Sequence, residues 1–159
     1  MDEALYQNYV SILKKELVPA MGCTEPISIA YASALAYKYL GEEVLEVSLV
    51  VSANIIKNVK SVVVPNTGGL KGIFAAASCG ILFGDSDKKL EVISKVSSNN
   101  KEAIEEFLNS KKFDLQESDS KSNFDLLVNL KGKEHSASVR IVGSHTNVCL
   151  IKVDDVVIF

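Results

Sequence analysis

Apolar positions recur over the first seventeen residues with the period of a helix. Leu5, Tyr9, Ile12, Leu13 and Leu17 fall on one stripe while Lys14, Lys15 and Glu16 point away, which predicts an amphipathic helix over residues 2–17. Pro19 and Gly22 break that pattern. A second helix is expected to start near Pro26, because proline suits a first turn and Thr24 can cap it, and to run through ISIAYASALAYKYL to Gly41. This segment is small and apolar almost all round, as a helix buried against several neighbours should be. β-Branched residues then dominate: VLEVSLVVSA (44–53) reads as a strand and KSVVV (60–64) as another, ending at Pro65. SANIIKN between them reads as a connection. Its Asn54, Lys57 and Asn58 either line a site or are simply solvated.

The turn PNTGG leads into a small, apolar helix at about 70–84, and further helices are expected at about 86–97 and 101–110, the latter with Ile104, Phe107 and Leu108 as its buried stripe. SDSKSN (118–123) is a polar loop. Beyond it the period switches to two, with Phe124, Leu126, Val128 and Leu130 alternating with Asp125, Asn129 and Lys131, as a half-buried strand should. Two more strands, 135–142 and 145–153, are expected about a two-residue turn at Gly143 and Ser144, which would pair His145 with Val142 and His135 with Lys152. Helices first and hairpins last give the α+β class: helices packed on an antiparallel, hairpin-rich sheet in a single domain, 1–159. The pattern stops at VVIF in mid-strand, the ending of a cut chain or of a subunit that continues onto a partner.

Composition narrows the function. The 159 residues suit one ordinary domain, with a net charge of -3 and a pI near 5.4. Lys and Arg together number 17, and Arg140 is the only arginine. A nucleic-acid partner is therefore not expected, since phosphate and base recognition lean on basic patches and arginine forks. No stretch approaches the ~20 apolar residues of a membrane span, and MDEALYQNYV is no secretory signal, so no membrane partner is expected. The three cysteines, Cys23, Cys79 and Cys149, are odd in number and widely spaced, which points to a reducing cytoplasm rather than a disulfide framework. With no CxxC pair, any metal must borrow ligands from elsewhere.

Three segments can carry chemistry. In Met21-Gly22-Cys23-Thr24-Glu25-Pro26 the cysteine precedes a helix N-terminus, whose unpaired N–H groups and positive dipole end favour thiolate; the alternative is a small residue buried in a tight turn. Pro65-Asn66-Thr67-Gly68-Gly69-Leu70-Lys71-Gly72 can offer N–H groups to a carboxylate or phosphate, or be an ordinary strand-to-helix turn; it is neither a Walker A loop nor GxGxxG. Ser144-His145-Thr146-Asn147 can supply a general base or a substrate contact, or can cap a hairpin corner. Cys79, among Ala75, Ala76, Ala77 and Gly80, reads as core.

GCTEPISIAYASA, NIIKN, VPNTGG with its alanine-rich helix, and HSASVRIVGSHTN, in that order, resemble the N-terminal portion of the L-cysteine desulfidase family, related to the iron–sulfur L-serine dehydratases. The resemblance runs from about Leu17 to Leu150, with GCTEP and HTN its most specific parts. It implies an α,β-elimination of L-cysteine to pyruvate, ammonia and hydrogen sulfide, with a four-iron four-sulfur cluster and no pyridoxal phosphate. Cys23 matches the family's motif cysteine, a cluster ligand; the other cluster cysteines lie in a C-terminal region absent here, and Cys79 and Cys149 match none of them. The implied partners are a small amino-acid substrate and a C-terminal domain or partner subunit that completes the cluster; whether the chain is also a homo-oligomer is left open by the sequence. His145 is the first choice for catalytic base or substrate contact and Lys57 the second; Asn66, Thr67, Gly68, Gly69 and Asn147 are candidates for substrate binding. The alternatives are an L-serine dehydratase module, or a non-catalytic domain that binds an amino acid or assembles with a partner.

Overall fold

A computed structural model describes residues 2–17, 19–20 and 22–159. Five α-helices, α1 (Glu3–Glu16), α2 (Thr24–Leu40), α3 (Ala53–Val59), α4 (Ile73–Phe83) and α5 (Lys101–Ser110), accompany six strands: β1 (Glu46–Val51), β2 (Lys112–Glu117), β3 (Asp125–Lys131), β4 (Ser136–Val142), β5 (Val148–Val153) and β6 (Val156–Val157). The strands form one sheet in the order β2-β1-β3-β4-β5-β6, and the fold is mixed α+β. Every pairing is antiparallel except β1 with β2, which are parallel because α3, α4 and α5 intervene as a crossover.

The register explains the core. Leu49, Val128, Val139 and Ile151 sit side by side across four strands, flanked by the rows Val51, Leu126, Ile141 and Val47, Leu130, Ala137. All of these are buried. Residues one step out of phase, such as Ser48, Asn129 and Ser138, occupy the opposite face and are half-buried. Helix α2 lies on the buried face against β3 and β4, with α4 beside it. The α2–α4 contact is very close: a Cβ built on Gly80 would come 2.1 Å from the Ala30 carbonyl oxygen, and one on Gly84 would come 2.7 Å from Ala34 Cβ. Residues 30 with 80 and 34 with 84 make the two helices parallel, so their N-termini lie at the same end.

Several elements depart from the sequence reading. Helix α1 forms, but none of its residues is buried, and its apolar stripe stays exposed among the described residues. SANIIKN is not a connection: Ser52 caps α3, which buries Ile55 and Val59. Residues 60–64 are not a strand, because α3 consumes the preceding turn and only Val63 bridges, to Lys71. The segment from 86 is a 3-10 turn, Ser86–Glu91, kinked at Lys89 (φ 49°), rather than an α-helix reaching 97. The alternation of Phe113 and Leu115 makes an additional strand, β2. The expected all-antiparallel sheet is accordingly mixed. Finally, the last hairpin loop spans residues 143–147, not two residues. Val142 N–H donates to the Asn147 carbonyl, Ile141 pairs with Val148 and Ser138 with Lys152, so His145 belongs to the loop and not to a strand.

Candidate functional site

Helix α2 begins where Cys23, exposed and in the N-cap position, hands over to Thr24; the cap is one residue earlier than expected, and the thiol makes no cap hydrogen bond. Met21 lies outside the described residues. Two bonds tie this helix start to the 143–147 loop. Thr24 Oγ1 is 3.2 Å from His145 Nε2, and Ser28 Oγ donates to the His145 carbonyl at 2.6 Å. The imidazole also packs on the Phe124 ring at 4.6 Å between centroids. An apolar plate behind the ring and a hydroxyl at its edge hold the histidine half-buried in one orientation, from elements more than a hundred residues apart.

A cleft of about 350 Å³ opens at this junction, lined by Lys15, Glu16, Thr24, Leu90, Ser144, His145, Thr146 and Asn147. The end of α1 supplies the two charges and the 3-10 turn supplies Leu90. Asn147 Nδ2 donates to the Val142 carbonyl at 2.9 Å, so this amide closes the loop as well as facing the cleft.

The glycine-rich turn reaches the same helix start from the other side. Gly22 adopts φ 152°, and a Cβ there would lie 2.9 Å from Pro65 Cγ, which leaves room only for glycine between the two loops. The side chains offered for substrate binding are otherwise engaged. Thr67, fully buried, donates to the Val64 carbonyl (2.7 Å) and accepts from Leu70 N–H (3.2 Å); Asn66 Nδ2 donates to the Ile93 carbonyl (3.2 Å). Gly68 and Gly69 remain exposed with positive φ, so the turn has backbone rather than side chains to offer. Lys57 is exposed on α3 and does not line the cleft. Its neighbour Asn58 instead reaches α2, donating to Glu25 Oε1 at 3.1 Å.

The three thiols differ in environment. Burial pushes Cys79 up to about 12 within α4, in keeping with a core residue. Cys149 is exposed on β5, its Sγ 3.6 Å from the Arg140 carbonyl. Among the described residues no three His, Cys, Asp or Glu side chains come together to hold a metal ion. The residue that sequence reasoning passed over is Ser28: its place in a small-residue helix gave no sign that its hydroxyl anchors the histidine loop.

No protein-family model matches the chain, and no solved structure does. Curated proteins do. A UPF0597 protein of Desulfitobacterium hafniense is 48% identical over 154 residues, covering 97% of this chain and 36% of the relative. A UPF0597 protein of Treponema denticola is 40% identical over 159 residues, covering 100% and 37%; one of Lachnoclostridium phytofermentans is 44% identical over 155 residues, covering 98% and 37%. The chain thus spans little more than a third of the length of the curated relatives it matches. These relatives overturn the assignment to the L-cysteine desulfidase family: proteins matching nearly the whole chain at 40–48% identity carry the UPF0597 name, which states no activity. The short motifs behind that assignment, GCTEP and HTN, are explained here by a helix start and a hairpin loop that bind one another. Among the described residues no helix is long and apolar enough to cross a membrane.

Proposed function

We propose that the cleft between the start of α2 and the 143–147 loop binds a small amino acid, and that His145 moves its α-proton in an α,β-elimination from L-cysteine, with L-serine as the alternative substrate. The observation that carries this reading is the pairing of His145 Nε2 with Thr24 Oγ1 at the first turn of a helix. With the Nε2 proton donated to Thr24, Nδ1 keeps a lone pair for a substrate proton. The N-terminus of α2, whose Thr24 lines the cleft, favours a carboxylate there.

In the reaction the base removes the proton from Cα as the Cβ–S bond breaks. The C–H electron pair becomes the Cα=Cβ bond, and sulfur leaves with its pair, to be protonated as hydrogen sulfide. The aminoacrylate tautomerises to an imine, which water hydrolyses to pyruvate and ammonia. Activation of the leaving group falls to groups beyond these residues. The Treponema denticola relative is matched along all 159 residues and offers the test. Anaerobic incubation with L-cysteine or L-serine should yield pyruvate, and alanine at the residue matched to His145 should slow it about 10²-fold or more. Pyruvate formation indifferent to that substitution removes His145 as the base. No pyruvate from either amino acid refutes the lyase reading.

A further inference from the structure

Helix α1 presents an apolar face that is left exposed among the described residues. Leu5, Tyr9, Ile12, Leu13 and Leu17 are 45–73% exposed along one stripe, with Tyr6 beside them at 51%. A helix of 14 residues is marginal in water unless its apolar face packs, and contiguous exposed apolar patches mark interaction surfaces. We propose that this face is the docking surface for a polypeptide corresponding to the unmatched length of its relatives, about two-thirds of their chain.

Three observations favour that occupant. The relatives carry a large polypeptide beyond the matched region, long enough to cover such a helix face. A second copy is the poorer occupant, because it offers only another 14-residue helix face, whereas stable associations bury roughly 800 Å² per partner. A lipid surface is poorer still: within α1, Glu3 and Glu16 offset Lys14 and Lys15, whereas interfacial helices are rich in Lys and Arg. Docking there also has a geometric consequence. The last turn of α1 gives Lys15 and Glu16 to the cleft wall, so the docked polypeptide arrives at the rim of the His145 cleft, where missing ligands or catalytic groups can be added. The inference does not depend on the elimination chemistry.

Hydrogen exchange compares this chain with the full-length Treponema denticola relative, which is matched over residues 3–16. The expected result is fast exchange of α1 amides here and protection about 100-fold greater in the relative, with β1, β3 and β4 equally protected in both. Aspartate at the positions matched to Ile12 and Leu13 should abolish that protection in the relative. The same double substitution in this chain should leave its unfolding midpoint unchanged, since neither side chain is buried. Equally fast exchange in both proteins overturns the proposal. So does protection in this chain that rises with its concentration, which would make a second copy the occupant, or protection that appears only with anionic phospholipid vesicles.

Discussion

Substituting Gly80 by alanine sets two physical effects of opposite sign against each other. Helix propensity alone favours alanine over glycine inside a helix by about 1 kcal/mol. Packing opposes it: the added Cβ would lie 2.1 Å from the Ala30 carbonyl oxygen and 2.7 Å from Ala30 C and Cα. These are backbone atoms of a buried helix and cannot rotate aside. Reaching ordinary contact distances of about 3.5 Å requires α2 and α4 to separate by an ångström or more, loosening a core that holds Ile27, Ile29 and Ile81. Overpacking of this kind costs about 1–3 kcal/mol, and a clash with backbone belongs at the upper end. The expected net effect of Gly80→Ala is a loss of about 2 kcal/mol. In urea, followed by circular dichroism, that is a midpoint lowered by about 1 M with the slope unchanged. A midpoint that stays or rises would show that propensity prevails and that α2 and α4 are not in this close parallel contact.

Other expectations follow from single residues. In the native chain a thiol reagent should modify Cys23 and Cys149 quickly and Cys79 only on unfolding; fast labelling of Cys79 would contradict its burial in α4. Asp125 is 1% exposed and bonded by Arg140 Nε at 2.9 Å and Nη2 at 2.6 Å, so Arg140→Met should cost about 3 kcal/mol in a urea titration, whereas a loss near zero would mean the carboxylate finds water instead. The hydrogen bond and charge of Asp154 raise the pKa of His135, while the Ser136 amide and then His135 lower that of Asp154. The histidine's contribution to stability is therefore complete below about pH 6.5 and lost as pH rises through its raised folded value. The aspartate's is present above its ordinary value and lost in acid, so together they contribute most between about pH 4 and 6.5. Nuclear magnetic resonance titration of His135 should show its pKa falling in Asp154→Asn; no change would contradict the pairing.

Strong periodicity was readable in the chain and weak periodicity was not. The alternation from Phe124 to Leu130 specified β3 and its buried face, because one buried face makes a period of two unambiguous. The apolar runs were ambiguous. VVV at 62–64 suits a strand as well as a buried irregular segment, and only the burial of Val59 at the end of α3 and Val64 beyond it decides between them. Helix α1 was legible as a helix but not as an uncovered one, since amphipathicity says which face seeks burial and not whether a partner is present. For the site, the spacing of GCTEP marked a helix start, and the histidine stood out as a side chain. What joins them, Thr24 to His145 and Ser28 to its carbonyl, spans over a hundred residues and is invisible to local pattern. The same holds for Asn66 and Thr67, whose polar character signalled ligand binding but whose bonds close their own turn.

The cleft at the start of α2 is proposed to bind a small amino acid against His145. Amide proton–nitrogen correlation spectra of the chain, titrated with L-serine and then with L-cysteine under reducing conditions, address it most directly. The predicted result is saturable shifts confined to Cys23, Thr24 and the 144–147 loop, with His145→Ala weakening the binding about tenfold or more while the β-sheet resonances stay in place. Shifts that do not saturate, that fall elsewhere on the molecule, or that are indifferent to His145→Ala would contradict it.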